Sequence, residues 1–228
     1  MDLAAIVVAA GRGVRMGAPT SKVFLSLRGV PVLAYSLQTI SRLDDLKQLV
    51  VVVAEQDLAT AADIVGKTNG VSKTIQLVSG GEERQDSVAN GLASIGNADG
   101  LIMVHDAARP FVSLACMQRC IGRAATTGAA IVAVPAHDTV KLCDDGLIKE
   151  TIDRRRVWLA QTPQVFRADW LRQAYHTAKQ ERLRATDDSA LLERCGYTVS
   201  VVEGEPANRK LTAPEDLRWA EWHLDQQR

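Results

Sequence analysis

The sequence predicts an α/β fold, a three-layer sandwich in which helices cover both faces of a mostly parallel sheet. Short runs rich in apolar and β-branched residues recur along the chain, and such continuous hydrophobicity is typical of strands buried on both faces. The runs span residues 3–9, 49–54, 74–78, 101–104, 129–134 and 198–202. Helical segments alternate with them, which indicates parallel strands joined by right-handed crossover helices.

The segments between these runs carry the usual signals of helices. Pro31 suits the first turn of a helix that extends to about residue 43. Ser113 is a suitable N-cap for a helix over residues 113–127. The remaining predicted helices span residues 56–67, 82–95, 168–181, 188–195 and 214–225.

One region interrupts the alternation of strands and helices. Residues 138–143 and 147–152 form two runs joined by Asp144-Asp145-Gly146, and an Asp-Gly pair between such runs predicts a β-hairpin. Because a two-stranded hairpin is marginally stable alone, we expect it to pack on something. A partner subunit and the remainder of the same chain are both open at this point.

Length and composition limit the possible classes of protein. The chain has 228 residues, of which 46% are hydrophobic, which excludes a disordered protein. At about 150 residues per domain, we predict a single domain over residues 1–228, with residues 138–153 as a hairpin arm. The formal net charge is zero, which argues against a nucleic-acid-binding protein that relies on a global basic field.

The N-terminus and the cysteines indicate where the protein works. The first apolar run has no preceding basic segment and ends at Gly11, so it predicts neither a signal peptide nor a membrane span. The four cysteines form no CxxC pair, and Cys116 and Cys120 are interpreted as packing residues of one helix. We therefore expect a cytoplasmic protein with reduced thiols and no membrane partner.

The loop after the first strand is typical of a phosphate-binding site. Gly11 and Gly13 allow the backbone to approach a ligand and to direct N–H groups at it. Arg12, Arg15 and Lys22 add positive charge around the same loop. The combination of backbone donors and cations is what polyphosphate binding requires.

Two familiar phosphate-binding motifs do not fit this loop. A dinucleotide-binding fingerprint needs a third glycine where Met16 stands, and the acidic candidate Glu55 is too far along the chain. A Walker A motif needs lysine directly after its closing glycine, but Gly17 is followed by Ala18. A nicotinamide-dependent dehydrogenase is therefore disfavoured.

Polar residues follow several other predicted strands, at the edge where ligands bind in open parallel sheets. Residues 79–87 contain two glycines before a helix, which either donate N–H groups to a ligand or simply start the helix. Asp106 is the candidate ligand of Mg²⁺, and a buried ion pair with Arg109 is its alternative role. His105 is interpreted as structural, and Lys210 as a possible additional phosphate contact.

Taken together, the motifs make the sequence similar over nearly its whole length to the 2-C-methyl-D-erythritol 4-phosphate cytidylyltransferase family. The motifs are Ala9-Ala10-Gly11-x-Gly13-x-Arg15-Met16, Gly80-Gly81-Glu82-Glu83-Arg84-x-Asp86-Ser87, Val104-His105-Asp106-Ala107-Ala108-Arg109-Pro110, Asp138-Thr139-Val140-Lys141, Asp153-Arg154, Thr162-Pro163-Gln164, Thr186-Asp187-Asp188 and Lys210-Leu211-Thr212-x-Pro214-Glu215-Asp216. Each motif is weak alone, but their order and spacing are specific.

The resemblance implies a nucleotidyltransferase-like fold, a homodimer built through the hairpin arm, and Mg²⁺ as cofactor. It implies transfer of CMP from CTP to 2-C-methyl-D-erythritol 4-phosphate by in-line displacement, with release of pyrophosphate, in non-mevalonate isoprenoid biosynthesis. The implied catalytic residues are Arg15, Lys22 and Lys210. The implied nucleotide-binding residues are Ala10, Gly11, Gly13, Gly81, Glu82, Ser87 and Asp106, with Asp106 also near the metal. The implied substrate-binding residues are Thr139, Arg154, Thr186 and Arg109.

Some positions depart from the family pattern. The family commonly has Pro-Lys-Gln-Tyr where this chain has Ser21-Lys22-Val23-Phe24, and Glu82 replaces the usual aspartate. Arg209 replaces a more usual aliphatic residue before Lys210. The alternatives are a cytidylyltransferase for another polyol phosphate, such as ribitol 5-phosphate, and a non-catalytic nucleotide-binding module.

Overall fold

The computed structural model describes residues 2–11, 21–71, 74–96 and 99–226. The strands are β1 (Leu3–Val8), β2 (Ser26–Leu27), β3 (Val30–Pro31), β4 (Leu46–Val53), β5 (Ile75–Ser79), β6 (Leu101–Asp106), β7 (Ala129–Pro135), β8 (Val140–Asp144), β9 (Leu147–Ile152), β10 (Trp158–Arg167) and β11 (Ser200–Glu203). The helices are α1 (Val32–Ser41), α2 (Leu58–Lys67), α3 (Arg84–Ser94), α4 (Leu114–Thr127), α5 (Ala168–Glu181), α6 (Asp188–Arg194) and α7 (Pro214–Asp225).

The central sheet has seven strands in the order β11-β7-β10-β6-β1-β4-β5. Only β10 runs antiparallel to its neighbours in this sheet, and the other described pairs are parallel. The mostly parallel sheet predicted from the sequence is confirmed. None of the helices in the described ranges is both long and apolar enough to span a membrane.

Alternating side chains of the strands bury two hydrophobic layers, one on each face of the sheet. Ala5 and Val7 of β1 pack in the layer that contains α1, α2 and α4. Ala4 and Ile6 pack on the opposite face, with α3, α5 and α6. The fully buried strands explain the continuous apolar runs, and the three-layer sandwich is confirmed.

The ends of α4 show why the sequence signals for helices were informative. The Ser113 side chain accepts a hydrogen bond from Cys116 N at 3.0 Å, as an N-cap should. Gly128 ends the helix in the left-handed region, with φ of +88°. Cys116 and Cys120 are fully buried on the inner face of α4, which confirms their packing role.

The hairpin of β8 and β9 forms its own two-stranded sheet. Asp145 and Gly146 connect the strands with φ values of +47° and +79°, the backbone that an Asp-Gly hairpin turn requires. Most of the hairpin side chains are exposed in this single chain. The predicted hairpin is confirmed, and it leaves the central sheet without extending it.

Strand β10 is absent from the strands predicted by sequence. It contains Pro163, and its pairing with β7 shifts register between Ala160 and Gln164. Its buried polar side chains bond loops instead of forming an apolar run: Gln164 Nε2 donates to Asp187 Oδ2 at 2.8 Å. Proline and polar residues inside a run are signals against a strand, which explains the omission.

Candidate active site

The candidate site lies where the parallel strands of the sheet centre end together. Val8 of β1 is in register with Val52 of β4 on one side and with Asp106 of β6 on the other. The loops that follow these strands and β5 surround a cavity of about 590 Å³. This position, outside the carboxyl ends of parallel strands, is the one expected for a ligand site.

The cavity brings together most of the residues predicted for the nucleotide site. Those that line it are Ala10, Gly11, Lys22, Gly81, Glu82, Ser87, Asp106 and Lys210. They come from four segments far apart in sequence. Gly13 and Arg15 lie outside the described residues.

The glycine pair after β5 leaves room in the wall of the cavity. A Cβ on Gly80 would lie 2.5 Å from Ala10 Cβ and 2.8 Å from Ser87 Oγ, which is too close for any other residue. Both glycine N–H groups are already used: Gly80 N donates to Val53 O at 2.7 Å and Gly81 N to Ser87 Oγ at 3.2 Å. In this structure the glycines therefore contribute space, while their N–H groups hold the loop.

The acidic residues before α3 have different placements. Glu83 is the N-cap in a capping box with Asp86, whose Oδ2 accepts from Glu83 N at 3.2 Å. Asp86 also binds Arg184 at 2.6 Å. These two carboxylates fit the helix-starting role expected of acidic first-turn residues. Glu82 is exposed and lines the cavity, as Glu83 also does.

Asp106 is the centre of the charge arrangement. Its side chain is 8% exposed, and its carboxylate binds Arg84 Nε at 3.0 Å and Lys210 Nζ at 2.7 Å. Arg109 Nε is more distant, at 4.0 Å. Burial alone would raise the pKa of Asp106. Arg84 and Lys210 lower this pKa by more than burial raises it, so the carboxyl is held ionised. The sequence predicts Arg109 as the ion-pair partner of Asp106. In the structure, Asp106 pairs chiefly with Arg84 and Lys210, and only distantly with Arg109.

Arg84 is a site residue to which the sequence analysis assigns no role. Its Nε binds Asp106, and its second nitrogen lies 2.9 Å from Asp188 Oδ2. Burial alone would lower the pKa of Arg84, but the Asp188 and Asp106 carboxylates raise it. Its position in the Gly80–Ser87 motif is the sequence feature that marks Arg84 as a candidate. Its partners lie on β6 and α6, far away in sequence, so the local sequence pattern does not predict them.

Lys210 is placed by a loop that is anchored in the core. Asn208 is fully buried, and its Nδ2 donates to Gln161 Oε1 at 3.0 Å and to Thr162 O at 2.8 Å. Leu211 N donates to Ala108 O at 2.8 Å, next to the cavity wall. These bonds on either side of Lys210 direct its ammonium group to Asp106.

His105 has the structural role that was expected. It is fully buried, and burial lowers its pKa to about 4. Asp106 N donates to Thr162 Oγ1 at 3.0 Å, so the Thr162 hydroxyl proton is free to donate to His105 Nδ1 at 3.1 Å. The other ring nitrogen then donates to Arg109 O at 3.2 Å. This places the imidazole as a neutral support for the loop after β6.

The residues predicted to bind the acceptor do not line the cavity of this single chain. Thr139 and Arg154 are exposed at the base of the hairpin, where Arg154 donates to His137 O at 2.5 Å. Thr186 is exposed on the loop before α6. Arg109 is mostly buried and donates to Asn208 O at 2.9 Å and Ala160 O at 3.4 Å. Burial lowers its pKa.

The fold and the site define a class of enzyme. Gly11, the glycine pair of Gly80 and Gly81, and two lysines meet at the carboxyl edge of a mostly parallel sheet, around the buried carboxylate of Asp106. This set of groups suits the binding of phosphates, and the described residues contain no cluster of three or more His, Cys, Asp or Glu that could hold a metal ion. We assign the chain to the α/β nucleotidyltransferases.

Comparison with known proteins gives the particular family. The family model for 2-C-methyl-D-erythritol 4-phosphate cytidylyltransferase matches residues 3–226. Proteins of that name from Pelotomaculum thermopropionicum and Syntrophus aciditrophicus are 44% and 42% identical to this chain, each over 96% of it and over 92% and 94% of their own lengths. The chain belongs to the 2-C-methyl-D-erythritol 4-phosphate cytidylyltransferase family.

Solved structures agree with this assignment. The 4-diphosphocytidyl-2C-methyl-D-erythritol synthase of Anaerococcus prevotii superposes with a TM-score of 0.87 at 32% identity, covering 98% of this chain and 96% of the other. The 2-C-methyl-D-erythritol 4-phosphate cytidylyltransferase of Thermus thermophilus superposes with a TM-score of 0.79 at 31% identity, covering 99% of this chain and 100% of the other.

Proposed function

We propose that this chain transfers the cytidylyl group of CTP to 2-C-methyl-D-erythritol 4-phosphate and releases pyrophosphate, a step of isoprenoid biosynthesis. The observation that carries the proposal is the cavity itself, which is lined by the glycine pair, by Lys22 and by Lys210 paired with Asp106. Membership of the cytidylyltransferase family, over almost the whole chain, supplies the two substrates.

The proposed chemistry is a direct in-line displacement. An oxygen of the acceptor's 4-phosphate forms a bond to the α-phosphorus of CTP, and the bond from that phosphorus to the bridging oxygen of the β-phosphate breaks. Pyrophosphate leaves with the electron pair. The attacking oxygen is already anionic at neutral pH, so no general base is needed, and the buried neutral His105 does not supply one.

Repulsion between two anions is the obstacle, so the protein must position them and supply positive charge. We propose that Lys22 and Arg15 neutralise the triphosphate of CTP. Lys210 is bonded to Asp106 at 2.7 Å and is 37% exposed, so its other N–H groups can donate to phosphate oxygens while that bond is kept. Arg84 also remains on Asp106, which keeps the buried carboxylate paired.

We also propose Mg²⁺ as cofactor, with Asp106 as its protein ligand. The described residues contain no group of three or more His, Cys, Asp or Glu side chains that could hold a metal ion alone. Asp106 is the one buried carboxylate among those that line the cavity, which fits an ion held mainly by substrate phosphates, as Mg²⁺ usually is in such sites. When bound, the ion would neutralise charge on the phosphate oxygens.

The hairpin arm supports a homodimer as part of the proposal. Leu142, Leu147 and Ile148 are 53%, 71% and 63% exposed, and Trp158 and Leu159 add exposed apolar surface after the arm. Apolar surface of this kind marks protein contact sites. A second copy would cover it and would bring Thr139 and Arg154 to the acceptor end of the neighbouring site. A cytoplasmic location also belongs to the proposal, because both substrates are charged molecules that need no membrane.

The test is pyrophosphate release by the purified protein with Mg²⁺. CTP, UTP, ATP and GTP are each combined with 2-C-methyl-D-erythritol 4-phosphate and with ribitol 5-phosphate. Release only with CTP and the methylerythritol phosphate is expected. Release with ribitol 5-phosphate instead would change the acceptor and keep the chemistry. Binding of CTP without release from any pair would identify a nucleotide-binding module and overturn the proposal.

A further inference from the structure

Arg84 joins two carboxylates that belong to different parts of the molecule. Its Nε donates to Asp106 Oδ1 at 3.0 Å, inside the cavity at the end of β6. Its terminal nitrogen lies 2.9 Å from Oδ2 of Asp188, the first residue of α6. The Arg84 side chain is 24% exposed, whereas the side chains of Asp106 and Asp188 are 8% and 1% exposed. The guanidinium is thus a bridge between two buried anions.

The far end of this bridge is fixed by hydrogen bonds. Tyr175 OH of α5 donates to Asp188 Oδ1 at 2.5 Å. Gln164 Oε1 of β10 accepts from the backbone N–H groups of Asp188 and Ser189, both at 3.2 Å. Asp188 therefore has little freedom to follow Arg84, and Arg84 is held in place from the α6 side.

The near end of the bridge determines where Lys210 points. Arg84 occupies Oδ1 of Asp106, and Lys210 Nζ binds Oδ2 at 2.7 Å. If Oδ1 lost its partner, the carboxylate would be free to rotate and Lys210 would lose its fixed position. Arg84 also connects the cavity to the start of α6, two residues after Thr186, which is a predicted acceptor contact.

We propose that Arg84 is a positioning residue for the transfer reaction: by bridging Asp188 and Asp106 it fixes the Asp106 carboxylate and, through it, the ammonium group of Lys210. The role rests on the proposed function, because it concerns the alignment of charge on the reacting phosphates. A planar guanidinium suits it, since its separate N–H groups reach two carboxylates at once, which the single ammonium of lysine does poorly.

The experiment compares Arg84→Gln, Arg84→Lys, Asp188→Asn and the double variant with wild-type protein. Arg184→Gln is the matched control, because Arg184 pairs with Asp86 at the start of the same helix but is 56% exposed. For each variant kcat and the KM for 2-C-methyl-D-erythritol 4-phosphate are measured. The Kd for CTP is measured by calorimetry without acceptor, and folding by thermal unfolding.

For Arg84→Gln we expect kcat to fall about 10- to 100-fold, as on loss of a supporting contact to an active group, while the Kd for CTP changes less than about threefold. Arg84→Lys should recover part of the loss, and Arg184→Gln should match wild type. Asp188→Asn should lower kcat in the same direction, and the double variant should lose less than the product of the single effects, because both substitutions break one bridge.

A second readout does not depend on turnover. In crystal structures of the variants, Arg84→Gln should show a rotated Asp106 carboxylate and a Lys210 Nζ displaced from its 2.7 Å contact with Asp106 Oδ2, whereas Arg184→Gln should keep that contact. Unchanged kcat and an unchanged Asp106–Lys210 contact in folded Arg84→Gln would overturn the proposal. A loss of CTP affinity as large as the loss of kcat/KM would overturn it too, by making Arg84 a nucleotide contact.

Two further outcomes are separable. If Arg84→Gln does not fold, Asp188→Asn decides, because it removes one buried charge and keeps the shape of the side chain; wild-type kcat and an unchanged Asp106–Lys210 contact in that variant would refute the bridge. If wild-type protein shows no transfer with any acceptor, the proposed function fails, whereas the crystal structures still test whether Arg84 fixes Asp106 and Lys210.

Discussion

Single residues in this site act mostly through their charge. Asp106 is the one buried carboxylate bonded to both Lys210 and Arg84, and it keeps these cations ordered before any phosphate is present. Lys22 also lines this cavity, at the start of a short 3₁₀ turn. A site of this kind is preorganised for anions, since its cations need little rearrangement when the ligand binds.

Lys22→Ala removes one of these cations from the cavity. We expect kcat to fall about 10²–10³-fold, as on loss of a charge-stabilising donor in other enzymes, with the fold retained because the side chain is not part of the core. The measurement is steady-state pyrophosphate release together with thermal unfolding. Lys179→Ala, an exposed lysine of α5 away from the cavity, serves as control. Turnover of Lys22→Ala at the wild-type rate would remove Lys22 from the mechanism.

His105 gives the protein a pH-dependent stability. Its pKa is lowered by burial from 6.5 to about 4, so between these values the unfolded chain binds a proton that the folded chain excludes. The folded state therefore loses stability as the pH falls through 6.5 towards 4. The loss amounts to about 3 kcal/mol at most, at about 1.4 kcal/mol per pKa unit.

His105→Asn tests this coupling, because its side-chain oxygen can still accept from Thr162. We expect the variant to be less stable than wild type at pH 7 and to lose less stability than wild type between pH 6.5 and 4. Urea unfolding at several pH values measures both. His176→Gln, an exposed histidine on α5, should keep the wild-type slope. Equal slopes in wild type and His105→Asn would contradict the assignment.

At the scale of elements, the hydrophobic pattern of the sequence identifies the strands that the helices bury on both faces of the sheet. The runs that became β1, β4 and β6 are fully apolar because both faces of the sheet are covered. Strand β10 differs, because its buried side chains include the polar residues Gln161, Thr162 and Gln164. Each of them forms a hydrogen bond with a backbone group that lies elsewhere in sequence. Local pattern cannot reveal such partners.

The hairpin arm is the element on which the acceptor site depends in our proposal. Arg154 lies two residues after the end of β9, and its guanidinium donates to His137 O across the base of the arm. For Arg154→Ala we expect a rise of about tenfold or more in the KM for the acceptor, the size of one lost charged contact, with a smaller change in kcat. Arg155→Ala is the control, since Arg155 pairs with Asp153 in solvent. An unchanged KM in Arg154→Ala would disprove the contact.

At the scale of the whole molecule, the site is assembled by tertiary contacts. The glycines, Lys22, Asp106 and Lys210 are predictable as candidates because motifs and strand ends mark them. Their grouping around one carboxylate depends on the sheet order, which sets β6 beside β1. Arg84 stands in the Gly80–Ser87 motif, but the motif does not indicate its role, which arises only when α3, β6 and α6 meet.

The exposed surface of the arm leads to a prediction about assembly. Leu147 and Ile148 leave a large apolar area in water, and burying such area contributes roughly 25 cal/mol per Å². If a second copy covers it, the double variant Leu147→Asp and Ile148→Asp should be monomeric, because two carboxylates would have to be buried without partners. Light scattering coupled to size-exclusion chromatography measures the mass of both proteins.

The same variant also tests whether the site is completed across the dimer. If Thr139 and Arg154 serve the neighbouring protomer, the monomer should bind CTP normally and have a strongly raised KM for the acceptor, because only the acceptor end loses residues. Trp222→Gln is the control, since Trp222 is an exposed apolar residue on α7, outside the arm. A monomeric wild type would refute the dimer. A monomeric variant with unchanged KM would instead show that each chain carries its complete acceptor site.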